Sequence, residues 1–188
     1  KYAMGGEVIS SISEHADNVA PALLGGLVMV KSINPQQIIN LPLLPDLFCF
    51  IINPKIQVKT SYSREILPAK IDMNLVTSQV SNFGGLIHSL HTRDYDLLKS
   101  SLKDSIVEQH RKKLIPKFDE VKEKCEELGA LGCSISGSGP SIFAITRGEE
   151  LAKKIQEEVT KIYQETKIEF STYISKISSE GVSVIDSE

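Results

Sequence analysis

Between Phe118 and Thr146 the apolar residues change their spacing, and that change constrains the fold more than any other feature of the chain. Phe118, Val121, Cys125 and Leu128 recur every three or four residues and place one stripe on a helix over 117–128. Gly129 supplies the residue of left-handed conformation that commonly ends such a helix. Beyond it, 133–136 and 141–146 (SIFAIT) read as strands flanking the turn Gly137-Ser138-Gly139-Pro140. Leu151, Ile155, Val159 and Ile162 then restore the helical period, and 168–177 and 182–185 read as closing strands. From residue 131 the order is strand, turn, strand, helix, strand, strand. Such an order predicts an α+β two-layer sandwich, with helices on one face of a mostly antiparallel sheet.

Upstream, 23–32 (LLGGLVMVKS) reads as a turn followed by a buried strand, and 47–52 (LFCFII) as another. Asn53-Pro54 ends the second, because proline has no N–H to give a ladder. Thr60 is placed to cap a short helix over 61–67, which Pro68 stops. Asp72 is the expected N-cap of a longer helix carrying Leu75, Val76, Val80, Phe83, Leu86, Ile87 and Leu90. A short helix with Leu97, Leu98 and Leu102 follows, then one near 105–114. A boundary is expected near residue 55. Residues 1–55 would be the strand-rich remnant of an incomplete α+β domain, and 56–188 a self-sufficient α+β domain.

Composition narrows the class of function. A chain of 188 residues with 41% apolar and 24% charged residues can bury a real core. Its net charge of −3 argues against a partner nucleic acid or an anionic membrane, both of which call for a basic surface. The sequence contains no apolar run approaching the roughly 18 residues of a membrane span. Cys49, Cys125 and Cys133 are odd in number and lack metal-ligand spacing, so buried thiols in a reducing compartment are expected. The opening KYAMGGEVIS lacks the regions of a signal peptide. A cytoplasmic location is therefore expected. Those first residues read as the middle of a helix or loop, which leads to the expectation of a fragment.

Three groups of residues carry chemistry. His15, Asp17 and Asn18, in E-H-A-D-N-V-A-P followed by Gly25-Gly26, suit a loop that grips a small polar ligand, or equally a capped turn in which Asp17 or Asn18 bonds its own backbone. The glycines allow something to approach the backbone closely. Residues 135–141 (ISGSGPS) offer free N–H groups for an anion, although glycine turns between strands are common without any ligand. They lack the lysine of a Walker loop and the spacing of a dinucleotide fingerprint. Arg64 and Arg111 lie in separate segments; singly each reads as a surface residue, and together they suit a bidentate clamp on a carboxylate.

Taken together, HADNVAPALLGG at 15–26, VKTSYSREILP at 58–68, HRKKLIP at 110–116 and GALGCSISGSGPS at 129–141 resemble, in order and spacing, the homoserine kinases of the galactokinase–homoserine–mevalonate–phosphomevalonate (GHMP) kinase superfamily. The resemblance runs over nearly the whole chain. The H-x-D-N and T-x-x-x-R blocks point to the homoserine branch, and the S-G-S-G-P turn marks only the superfamily. The resemblance implies a ferredoxin-like C-terminal domain, ATP and Mg²⁺ as cofactors, L-homoserine as acceptor in threonine biosynthesis, and the homodimer common among relatives. It implies that Glu7, eight residues before His15, binds the Mg²⁺. His15, Asp17 and Asn18 would contact homoserine, Asp17 its ammonium. Thr60, Arg64 and Arg111 would line the same pocket, the arginines on the carboxylate, and Gly137 would bring its backbone against the substrate. No residue stands out as a general base, and the resemblance casts His15 as a binding residue.

The superfamily's nucleotide loop, P-x-x-x-G-L-G-S-S-A, does not occur in these residues, so it is expected upstream of Lys1 and the chain alone is expected to be inactive. Two rivals stand beside this reading. A superfamily kinase acting on a sugar or isoprenoid alcohol would have no use for Asp17 with Arg64 and Arg111. An amino-acid-sensing regulatory domain would have no use for a Mg²⁺ ligand at Glu7.

Overall fold

The computed structural model describes residues 16–34 and 36–185. The chain divides into two compact units, one of residues 46–176 and a smaller one drawn from residues 1–45 and 177–188. In the smaller unit, helix α1 (Val19–Leu24) precedes an antiparallel hairpin of β1 (Leu27–Ser32) and β2 (Gln37–Leu41), in which Leu27 pairs with Leu41. Gly25 and Gly26 both have positive φ, and the Gly26 N–H donates to the Ser178 carbonyl at 2.7 Å. A Cβ on Gly25 would lie 2.4 Å from the carbonyl carbon of Glu180, and one on Gly181 would lie 2.1 Å from the Leu23 oxygen. The close approach that the glycines permit is thus made by the chain's own backbone.

The larger unit is a β-α-β-β-α-β unit with one four-stranded antiparallel sheet in the order β4-β5-β3-β6. Its strands are β3 (Leu47–Pro54), β4 (Gly132–Ile135), β5 (Ile142–Arg147) and β6 (Phe170–Lys176). Between β3 and β4 lie α2 (Thr60–Glu65), α3 (Met73–Thr92), α4 (Tyr95–Ser101), α5 (Glu108–Arg111), a 3-10 turn (Lys112–Leu114) and α6 (Phe118–Leu128); α7 (Glu149–Gln164) joins β5 to β6. Alternate residues of the central strands face the helices, with Phe50 opposite Ala144 and Ile52 opposite Ile142, so large and small side chains share the space. They pack against Phe118, Val121 and Cys125 of α6 and Ile155, Val159 and Tyr163 of α7. The Asp72 carboxylate caps α3, accepting from the Asn74 N–H at 2.7 Å. At the end of α6, Gly129 (φ 101) lets the Ala130 N–H reach back to the Cys125 carbonyl at 2.9 Å.

The two-layer α+β architecture and the antiparallel sheet agree with the sequence reading, and several details differ. The larger unit begins at residue 46 rather than 56. Its β3 sits between β5 and β6, so a boundary at 55 would remove a central strand. No strand forms at 182–185, where Val182, Val184 and Ile185 are exposed. The helix expected near 105–114 is a single α-turn and a 3-10 turn, cut short before Pro116. On α7 the fully buried positions are Ala152, Ile155, Val159 and Tyr163, with Leu151 and Ile162 at the margins. Tyr163 turns the stripe inward because its hydroxyl finds the Pro116 carbonyl at 2.7 Å.

All three thiols are shielded. Burial pushes the Cys49 thiol up to about 11, and a hydrogen bond with Cys125, followed by burial, raises Cys133 well above the ordinary cysteine range. At the start of β3, Asp46 accepts hydrogen bonds from the Tyr95 hydroxyl and from Arg147 Nε, the latter at 2.7 Å, and the guanidinium lies 4.3 Å from the Tyr95 ring centroid. The Tyr95 bond, with Arg147 assisting, holds the Asp46 carboxyl below its usual range. A lowered folded-state value means that this group stabilises the fold above the unfolded aspartate range and ceases to do so as acid protonates it. Thermal midpoints of the parent and Asp46→Asn should therefore differ most near pH 6 and converge toward about pH 2. A constant difference across that range would detach the acid sensitivity from Asp46.

Candidate functional site

In the larger unit the predicted residues gather at the turn between β4 and β5. Residues 136–141 are pinned internally, since the Ser136 N–H donates to the Ser141 carbonyl at 2.8 Å and the Gly139 N–H to the Ser136 carbonyl at 2.9 Å. Asn53, near the end of β3, donates from Nδ2 to Ser141 Oγ at 2.8 Å. Gly137 (φ 58) and Gly139 (φ 82) both need the left-handed region, but their surroundings differ. A Cβ on Gly139 would lie 3.0 Å from Ile115 Cδ1 and 3.3 Å from Ile135 Cγ2, whereas one on Gly137 meets only open space. Gly139 is thus fixed by packing. Gly137 is exposed and leaves room above its backbone.

Helix α2 comes to this turn from far along the chain. Ser63 is fully buried and its hydroxyl donates to the Ser138 carbonyl at 3.3 Å. Arg111, the last residue of α5, donates from Nε to the Ser63 carbonyl at 3.1 Å and from Nη1 to the Gly137 carbonyl at 3.0 Å. Arg64 stands exposed in the last turn of α2. The Thr60 side chain lies outside the described residues. One turn before Arg111, the buried Glu108 carboxylate accepts from Ser134 Oγ on β4 at 2.7 Å and pairs with Lys122 of α6. This ties α5 to the sheet and to α6.

In the smaller unit, Asp17 and Asn18 are exposed in the turn before α1. Asn18 is the N-cap residue, yet it makes no side-chain cap hydrogen bond, so the capped-turn alternative fails for Asn18. His15 and Glu7 lie outside the described residues. Among the described residues no group of three or more histidine, cysteine, aspartate or glutamate side chains gathers to hold a metal, and those residues do not by themselves make a Mg²⁺ site. No described helix is long and apolar enough to cross a membrane.

The sequence reading did not single out Ser63, Ser138, Asn53 or Glu108. Ser63 sits between Thr60 and Arg64 in T-S-Y-S-R-E, where a small polar residue on a short helix looks like any solvated serine. Its partner lies 75 residues away, and no local pattern signals the pairing.

The comparisons with known proteins follow this geometry. Residues 86–165 match the family model of the GHMP kinases C-terminal domain. The match runs from within α3 to the end of α7, and so includes the glycine turn. Within that class the similarity is to homoserine kinase. The homoserine kinase of Chlorobium phaeobacteroides (strain BS1) is 41% identical over 186 residues, 98% of this chain and 58% of the relative. The crystal structure of homoserine kinase from Cytophaga hutchinsonii superposes with a TM-score of 0.90 at 43% identity, covering 95% of this chain and 56% of that one. The L. major mevalonate kinase shares the fold alone, with a TM-score of 0.59 at 15% identity over 79% of this chain and 49% of its own. The chain spans just under three fifths of the length of the curated relatives it matches.

The two glycines should respond differently to substitution. Gly139→Ala combines an unfavourable φ with contact against two isoleucines and should destabilise the fold by about 1–3 kcal/mol. Gly137→Asn should cost less than about 1 kcal/mol, since asparagine tolerates this conformation and nothing crowds it. Urea unfolding of both variants measures the contrast. Equal losses would show that the turn's packing is not what separates them.

Proposed function

We propose that this chain is the acceptor-binding part of a homoserine kinase, which transfers the γ-phosphoryl of ATP to the hydroxyl of L-homoserine in the route to threonine. The observation that carries this reading is identity of about 40% with homoserine kinases over 98% of the chain. In this reading Arg64 binds the amino-acid carboxylate, Arg111 contributes the N–H groups not engaged by the Ser63 and Gly137 carbonyls, and Gly137 brings its backbone close to the substrate. Thr60 lines the same pocket. Asp17 takes the ammonium, with His15 and Asn18 beside it. The exposure of Asp17, Asn18, Arg64 and Gly137 supports those roles, and so does the absence of a cap bond from Asn18.

Phosphoryl transfer of this kind rests on positioning and electrostatic stabilisation more than on covalent help from the protein. In this reading, what this chain's residues do is bind the charged groups of the acceptor. ATP and Mg²⁺ belong to the reading, with Glu7 as a metal ligand; the metal would neutralise developing charge on the phosphoryl oxygens. A cytoplasmic setting fits the three shielded thiols. A kinase for another alcohol is disfavoured because it has no α-amino acid group for Asp17 and Arg64 to recognise.

With Mg-ATP, the complete gene product should phosphorylate L-homoserine in preference to mevalonate or galactose, followed as ADP release. Turnover of homoserine no faster than of those alcohols would sink the reading. Losing one charge-assisted hydrogen bond removes roughly 1.5–3 kcal/mol, so Arg64→Ala should raise the homoserine KM by about one to two powers of ten. Homoserine amide should bind poorly to the parent and lose little more in the variant. Equal losses for acid and amide would remove Arg64 from the carboxylate.

A further inference from the structure

Helix α2 has little of its own to hold it in place. It is six residues long, its N-cap Lys59 makes no side-chain cap bond, and among its residues with described side chains Ser63 alone is fully buried. A helix of that length does not persist without tertiary support. In the glycine turn, Gly139 is fixed by packing, whereas Gly137 is exposed and uncrowded, which gives its backbone more freedom than another residue would. Both meet at Arg111. Its Nε takes the Ser63 carbonyl and its Nη1 the Gly137 carbonyl, while the Ser63 hydroxyl takes the neighbouring Ser138 carbonyl. Three hydrogen bonds thus close a ring between α2, the turn and α5. Arg111 is itself held from behind, because Glu108 on the same helical turn is buried between Ser134 of β4 and Lys122 of α6.

We propose that Arg111 is a positioning residue, which with Ser63 locks α2 to the glycine turn and so presents Arg64 and Gly137 to the amino-acid substrate as one rigid surface. The chemistry requires arginine at this place. A guanidinium offers five N–H groups in a fixed plane, so two can hold backbone carbonyls while others face outward; a lysine ammonium has no Nε–H and cannot span both carbonyls in that geometry. Ser63 needs its hydroxyl because the position is fully buried and the Ser138 carbonyl would otherwise lose its partner. The proposal rests on the homoserine reading for the identity of the ligand, but the lock itself exists without any ligand.

The test measures the lock and the substrate separately, in the complete gene product. Hydrogen exchange of the Gly139 amide in the unliganded protein should quicken by about tenfold or more in Arg111→Gln, Arg111→Lys and Ser63→Ala, and change little in Arg64→Gln. Ser63→Ala, which removes a buried hydroxyl far smaller than any ligand group, should raise the homoserine KM by about three- to tenfold, with kcat and the ATP KM within about twofold of the parent. If Arg111 served only the carboxylate, its loss would raise the homoserine KM and leave exchange in the unliganded turn unchanged; that result overturns the proposal. If Arg111→Gln does not fold, Ser63→Ala carries the same decision, and unchanged exchange there overturns it equally. Failure of the complete protein to phosphorylate homoserine, with quickened exchange in these variants, would leave the lock standing and remove only the ligand.

Discussion

Strand β3 is the constraint on which the larger unit depends. It pairs through residues 47–52 with β5 on one side and through 48–54 with β6 on the other, and its alternate residues Phe50 and Ile52 form the floor on which α6 and α7 rest. It lies between β5 and β6, two strands that α7 joins in the chain but that do not pair with each other. The glycine turn inherits its location from this arrangement: β5 must start beside Ile52, and the turn that feeds it therefore falls next to Asn53, which bonds Ser141. A site assembled from α2, α5 and the turn is consequently referenced to a single buried strand.

Around that frame the polar groups are spent on holding backbone in place. Asn53, Ser63, Glu108 and Arg111 all bond carbonyls, hydroxyls or a lysine from other elements. A buried carboxylate such as Glu108 carries a desolvation cost that Lys122 and the Ser134 hydroxyl offset. Such groups add little net stability compared with an apolar core, but they fix directions. Asp17, Asn18 and Arg64 are exposed.

How much was legible in the sequence follows from how local each signal is. The stripe Phe118-Val121-Cys125 and the stop at Gly129 depend on neighbours within a few residues, and both stand as read. The role of β3 could not be read that way. LFCFII announces a buried strand, but nothing nearby says that its partners are residues 142–147 and 170–176. Val182, Val184 and Ile185 read like a strand but are exposed and pair with no strand among the described residues, so the pattern remains unrealised there. At the site, Arg64, Arg111 and Gly137 stood out by motif, whereas Ser63 and Glu108 owe their importance to burial and to partners that only the folded chain supplies. Arg111 shows the intermediate case: the residue was legible, and its two backbone carbonyls were not.

The packing of Gly25 and Gly181 against facing backbone bears on how the protein is made. The smaller unit draws on residues before 46 and after 176, so its two parts are separated by the entire larger unit. During synthesis the segment that carries Ser178, Glu180 and Gly181 leaves the ribosome only after the hairpin of β1 and β2 and the whole larger unit have done so. The larger unit can therefore complete its sheet first, as domains generally do when they emerge in order. Until that segment arrives, the N–H of Gly26 lacks the Ser178 carbonyl that it bonds in the folded chain.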